Sequence, residues 1–217
     1  MDEIISIKNN YSKGKSIEIV KQCFDLLRNG QLNDEKRIQE VYEFAKSALR
    51  EDAGAFLESK RYGGALEYLL LQLTIMLKSD SEESCKNMLK FIGVVSEMAT
   101  NEYISYGDMN MDLFGGESQK DKKMIMLEGS IKCYSHAAEF YALAKMIGIT
   151  PTYPEYSGKD ADSAINMKLR EAALLYANLA GINSPENYVG RVIEGKTLLV
   201  EGQIKRWMEV INRLQIK

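Results

Sequence analysis

Apolar side chains recur at helical spacing along almost the whole chain, and this periodicity limits the folds that the chain can adopt. Ile17, Val20, Phe24 and Leu27 lie three or four residues apart. The same spacing recurs in the segments 38–49, 85–99, 124–141, 165–179 and 200–214. Such spacing places apolar side chains on one face of an α-helix. Only Ile4-Ile5-Ser6-Ile7 is typical of a β-strand, and a single strand would have no partner. The sequence therefore predicts an all-α fold of about eight helices.

Glycine, proline and serine mark the predicted helix ends. Gly148 and Gly181 each follow an apolar helical segment, and Ser184-Pro185-Glu186 is typical of a helix N-terminus. Two connections, 105–123 and 150–160, are predicted to be long loops because glycine, proline and polar residues are frequent in them. We expect one all-α domain over residues 1–217. Two helical halves joined by the 105–123 loop are the alternative.

Charge, apolar content and cysteine spacing argue against several classes of function. The chain has 28 Lys and Arg against 31 Asp and Glu, so it lacks the basic balance that is typical of nucleic-acid binding. The longest apolar stretch, 65–77, is shorter than the roughly 20 residues of a bilayer-spanning helix. Cys23, Cys85 and Cys133 do not have the spacing of a disulfide framework, which favours a reducing compartment. We therefore expect a cytoplasmic protein that binds neither nucleic acid nor membrane.

Two patterns resemble metal sites but lack essential ligands. Cys133 and His136 are close in sequence, but the other two cysteines are distant, whereas structural zinc sites draw on close ligand pairs. The segment 108–112 has the Asp-x-Asn-x-Asp spacing of an EF-hand loop. Leu113 and Gln119, however, stand where that loop needs glycine and an acid. The sequence predicts no metal site.

Nucleotide binding and nucleophilic catalysis have little support in the sequence. Gly14-Lys15-Ser16 precedes a helix, as a phosphate-binding loop does, but Asn9 stands where the first glycine is needed. His136 is the single histidine of the chain, and no nucleophile-elbow or oxyanion motif lies near it in sequence. We predict neither catalytic residues nor a cofactor.

The chain also contains an internal repeat. Residues 137–142 (AAEFYA) recur as residues 172–177 (AALLYA), an offset of 35 residues. Earlier in the chain, Tyr62, Ala65 and Tyr68 have the aromatic–small–aromatic spacing of the second helix of a tetratricopeptide repeat, whose period is about 34 residues. Residues 46–78 therefore resemble a tetratricopeptide repeat, and residues 130–181 carry a fainter alanine-rich echo.

The match to the tetratricopeptide-repeat pattern extends into the preceding helix, but the sequence departs from that pattern in three respects. Leu49 and Phe56 stand at the apolar positions of the first helix of such a repeat. Ala53 replaces the usual glycine, Gln72 occupies a position where a small residue is expected, and no proline closes the repeat. The resemblance implies antiparallel helical hairpins stacked as a short solenoid, with a closed helical bundle as the alternative.

A stacked array of hairpins implies a function in binding. Its groove accepts an extended peptide or a partner helix, and the resemblance places Arg50, Leu57 and Glu58 in that groove. The leading hypothesis is a non-enzymatic scaffold or adaptor for a protein or peptide partner. One alternative is a helical bundle whose small-molecule pocket, in an enzyme or a binding protein, is capped by the 105–123 loop. Another is a homodimer formed through the apolar helices 62–77 and 198–214.

Overall fold

The structure is a computed structural model that describes residues 3–29, 32, 34–152 and 161–215. Its helices are α1 (Glu3–Asn10), α2 (Ser16–Arg28), α3 (Glu35–Glu58), α4 (Tyr62–Ser79), α5 (Glu82–Gly116), α6 (Lys120–Met146), α7 (Ala161–Ala180) and α8 (Pro185–Gln215). These helices hold 87% of the described residues, none of which forms a strand, so the all-α prediction is confirmed.

Two predicted helix ends are confirmed, and one β-like segment is corrected. Gly148 and Gly181 follow α6 and α7 with φ of 88° and 73°, a conformation that glycine adopts without strain. The segment Ile4–Ile7 lies in α1, where Ile4 is buried, so it does not form a strand. Of the loop predicted at 150–160, residues 153–160 lie outside the described residues.

The long loop predicted over 105–123 is wrong, because helix occupies most of it. α5 continues to Gly116 and α6 begins at Lys120, which leaves residues 117–119 as the connection. The Glu117 carboxylate accepts the backbone N–H groups of Ser118 and Gln119 at 2.8 and 2.9 Å and so closes this short turn. Glycine in a helix costs about 1 kcal/mol relative to alanine. At Gly107 the missing side chain leaves room for the Tyr134 ring, because a Cβ atom there would overlap that ring.

The chain divides into two compact units. Unit 1 contains Met1–Ile92 and Asn212–Lys217, and unit 2 contains Gly93–Ile211, so one boundary falls within α5. The sequence-based expectation of a single domain stays a prediction.

The core of unit 1 joins α1, α2, α3 and α4. Its buried residues are Ile4, Ile19, Val20, Cys23, Leu26, Leu32, Val41, Ala45, Ala48, Leu49 and Ile75. α3 packs along α4, and α2 packs on α3. The buried ammonium group of Lys46 on α3 is paired with the carboxylates of Glu43 and Asp80, and Asp80 ends α4. This contact therefore ties α3 to the C-terminal end of α4.

The N-terminus of α2 is held by a carboxylate from α3. Asp52 is 3% exposed and accepts the backbone N–H of Gly14 at 2.8 Å and that of Ser16 at 3.1 Å. Burial would raise the pKa of Asp52, but hydrogen bonds from Ser16 and Gly14 hold that pKa below its ordinary value. The Gly14-Lys15-Ser16 segment therefore binds an anion that belongs to the chain itself.

The core of unit 2 brings together side chains of α5, α6 and α7. Its buried residues are Ile104, Tyr134, Ala137, Ala138, Tyr141, Ala161, Ile165, Leu169 and Ala172. Half-buried Val192, Ile193 and Val200 of α8 pack against this cluster. Three alanines of the 35-residue echo, Ala137, Ala138 and Ala172, lie here, and their small side chains let α6 and α7 approach closely.

Candidate functional site

The three residues predicted to bind a partner have accessible side chains on α3. Arg50 and Glu58 are exposed, and Leu57 is half-buried. Arg50 and Leu57 are seven residues apart, so they lie on the same face of the helix. The core instead takes Leu49 and Ala53, which are fully or almost fully buried. The structure therefore leaves the predicted binding residues outside the core.

An aromatic cluster closes the α3–α4 hairpin next to Leu57 in sequence. The Phe56 and Tyr68 rings stack with centroids 5.4 Å apart, and the Arg61 guanidinium lies 4.9 Å from the Phe56 centroid. A Cβ atom at Gly64 would lie 2.5 Å from the Phe56 ring. The absence of that atom lets the two helices approach at this end of the hairpin.

A polar cluster in unit 2 was missed by sequence reasoning. Asp108 on α5 accepts hydrogen bonds from the Tyr134 hydroxyl at 2.7 Å and from the Lys168 ammonium at 2.6 Å. Tyr134 is 1% exposed, and the Lys168 side chain is 14% exposed. In the sequence, Asp108 is notable only as part of the incomplete EF-hand pattern with Asn110 and Asp112. These three residues lie two positions apart on a helix, so their side chains do not converge on one ion.

The cluster borders a polar cavity of about 490 Å³. The lining residues are Ser105, Asp108, Met109, Met111, Asp112, Tyr134, Lys168 and Glu171. Five of them belong to the segment predicted to be a capping loop, but as part of α5 they form a wall of the cavity. The partners Asp108 and Lys168 are 60 residues apart in sequence, and only the packing of α5, α6 and α7 brings them together.

A second cavity in unit 2, of about 380 Å³, is largely apolar. It is lined by α6 residues Ala138, Tyr141, Ala142, Lys145 and Met146, by Asp162 of α7, and by α8 residues Lys196, Thr197, Val200, Glu201 and Ile204. We refer to it as the α6–α8 cavity. Sequence reasoning gave no signal for it, because its lining follows from how α6 and α8 pack.

The residues considered for zinc make other contacts. His136 Nδ1 lies 2.9 Å from a carboxylate oxygen of Glu139, and its ring contacts the Tyr103 ring edge to face. Cys23 and Cys85 are buried and Cys133 is half-buried, and all three are thiols. Burial raises the pKa of the Cys23 thiol to about 11. Over the described ranges, no group of three or more His, Cys, Asp and Glu side chains could hold a metal ion.

The two helices considered for self-association differ in exposure. α4 buries Leu66, Leu69 and Leu73, whereas α8 exposes Leu198 and Leu199. Among the helices that the structure describes, none is long and apolar enough to span a membrane.

Comparison of the chain with protein-family models, with curated proteins and with solved structures found no match. Function is therefore inferred from the geometry of the chain itself.

Proposed function

We propose that the chain is a non-enzymatic helical scaffold that binds a protein or peptide partner, with Arg50, Leu57 and Glu58 in the contact surface. The observation that carries the proposal is the exposure of this face of α3. It combines a cation, an anion and a half-buried apolar side chain. Exposed charge around an apolar contact is the usual pattern of a polar rim and an apolar centre in a protein interface.

The packing of the α3–α4 hairpin is consistent with a tetratricopeptide-like architecture. Ala65 is fully buried, and Tyr68 stacks on Phe56 one turn away, as close helix packing in such a repeat requires. We propose that hairpins of this kind stack as a short solenoid and that the exposed face of α3 lies in its groove.

The experiment is affinity capture with the full chain as bait, followed by identification of the retained proteins. We compare the wild type with Arg50→Glu and Leu57→Ala, and with Lys36→Glu as a control at the exposed N-terminal end of α3. The proposal expects one set of proteins that the wild type and the control retain and that both groove variants lose. If both groove variants retain the same proteins as the wild type, the contact surface is not on this face.

A second candidate function is small-molecule binding in the polar cavity of unit 2. The observation that favours it is the polar lining of this cavity of about 490 Å³. The Ser105 and Tyr134 hydroxyl groups, several carboxylates and the Lys168 ammonium all face the same space. Pockets of roughly 300–1,000 Å³ with a few convergent polar groups are typical of ligand sites. A thermal-shift screen against a metabolite panel tests it, with Lys168→Met as the variant that must lose the response. A flat panel argues against this function.

A further inference from the structure

The α6–α8 cavity has an apolar floor and charged groups around it. Ala138 and Ala142 lie one helical turn apart on α6, and Val200 and Ile204 lie one turn apart on α8. Small side chains on α6 leave space that a larger residue would fill, so the apolar walls face about 380 Å³ of open volume. Apolar surface that is left uncovered favours a ligand with an apolar body.

The lysines of the cavity indicate which charge such a ligand carries. Half-buried Lys196 donates from Nζ to Oδ1 of Asn166 at 2.8 Å, and this amide is neutral, so the contact does not compensate the ammonium charge. Lys145 donates to the hydroxyl of Tyr141 at 3.1 Å. The hydrogen bond to the neutral Asn166 amide fixes the Lys196 ammonium in place without neutralising its charge.

The two acids of the lining are less able to set the sign of the ligand charge. Asp162 lies in the first turn of α7, where the helix dipole favours a carboxylate. Glu201 is exposed, so water and salt screen its charge. Lys196 is only partly exposed and is therefore screened less.

We propose that the α6–α8 cavity binds a small amphipathic carboxylate, with the apolar body against Ala142, Val200 and Ile204 and the carboxylate at Lys196. This site goes beyond the proposed scaffold function, because it lies in unit 2 and uses none of the residues of the α3 face.

The test compares three probes with the same ten-carbon chain: decanoate, decanol and decyltrimethylammonium. Trp207 is the single tryptophan of the chain and lies one turn beyond Ile204, so its fluorescence reports binding at this end of α8. We expect decanoate to bind about fivefold more tightly than decanol. This ratio corresponds to the upper end of what a partly exposed ion pair contributes.

Two variants separate the charge from the apolar floor. Lys196→Gln retains a side-chain donor for Asn166 but removes the charge, so decanoate should bind no more tightly than decanol. Ala142→Leu fills the cavity, so none of the probes should bind, while its circular dichroism spectrum remains that of the wild type. Lys205→Gln removes a nearby exposed charge of α8 that does not line the cavity, and it should behave as the wild type.

Other outcomes would overturn the proposal. If none of the three probes binds, the cavity is not a binding site for this class of ligand. Equal affinities for decanoate and decanol, or a preference for the cationic probe, remove the carboxylate assignment. Retention of the decanoate preference in Lys196→Gln removes Lys196 as its cause.

Discussion

At the scale of single residues, Asp52 illustrates how one buried carboxylate fixes a chain segment. Its two backbone hydrogen bonds hold residues 14–16 at the start of α2, and its pKa lies below the ordinary value. A carboxyl group whose pKa is lower in the folded state stabilises the fold above its unfolded pKa of about 3.9. That contribution is lost as the pH falls through the folded pKa.

We predict that Asp52→Ala lowers the free energy of unfolding by about 2–3 kcal/mol at neutral pH, because hydrogen bonds to charged groups contribute about that much. Urea unfolding of the wild type and the variant should show a smaller difference near pH 3 than near pH 7. Asp25→Ala, at an exposed position of α2, is the matched control and should change stability little. A difference between wild type and Asp52→Ala that grows on acidification would contradict the assignment.

Gln72 is the opposite case, because among the residues that the structure describes its buried amide lacks the hydrogen bonds that would compensate the loss of water. It is 1% exposed, and neither its amide nitrogen nor its amide oxygen has a hydrogen-bond partner in the described part of the chain. An unsatisfied buried amide costs about 1–3 kcal/mol. We predict that Gln72→Met, which retains a similar side-chain volume, raises the midpoint of urea unfolding. A lower midpoint would mean that the amide is satisfied in solution.

At the scale of helices, the α3–α4 hairpin depends on a missing side chain. Alanine is ordinarily about 1 kcal/mol more favourable than glycine inside a helix. At Gly64, however, a Cβ atom would lie 2.5 Å from the Phe56 ring, and overpacking of this kind costs about 1–3 kcal/mol.

We therefore predict opposite effects for two glycines of the same hairpin. Gly64→Ala should lower the thermal unfolding midpoint. Gly54→Ala should raise it, because no atom outside the local backbone lies within 4 Å of the added Cβ. The double variant Phe56→Leu with Gly64→Ala should recover part of the loss. Equal shifts for the two alanine variants would show that helix propensity, and not packing, sets the outcome.

The helices themselves were largely predictable, because apolar spacing is a local property. Each apolar segment from 17–27 to 200–214 lies within a helix of the structure. The C-terminal part of α5 was not predicted, since Gly107, Gly115 and Gly116 suggest a loop when packing is unknown. Gly107 lies within α5 against the ring of Tyr134, which is 27 residues further along the chain, so the reason for a glycine at this position is not visible in the local sequence.

The cavities and polar clusters of unit 2 could not be predicted by the same reasoning. Asp108, Tyr134 and Lys168 lie on three different helices, and no local pattern connects them. The prediction of Arg50, Leu57 and Glu58 as binding residues came from the resemblance to a tetratricopeptide repeat and not from the chemistry of their side chains. The structure shows that they are accessible, and their role in partner binding stays a prediction.

At the scale of the whole molecule, the chain forms two compact units, each with its own core cluster. Units with separate cores commonly open as separate cooperative segments in native-state hydrogen exchange. We predict that Asp52→Ala accelerates amide exchange in α2, α3 and α4 more than in α6 and α7. Hydrogen exchange followed by mass spectrometry measures this difference. Equal acceleration in both sets of helices would show a single cooperative unit.

The contact between Asp52 and the start of α2 has a consequence for competition by free anions. Gly14-Lys15-Ser16 offers backbone N–H groups at a helix N-terminus, as sites for phosphate do. Asp52 already occupies them, and as part of the same chain it acts as an intramolecular ligand. Even flexible tethers give effective concentrations on the order of millimolar, and a folded helix holds the carboxylate more firmly. A dissolved phosphate therefore competes at a disadvantage unless its own concentration exceeds the effective concentration of the Asp52 carboxylate.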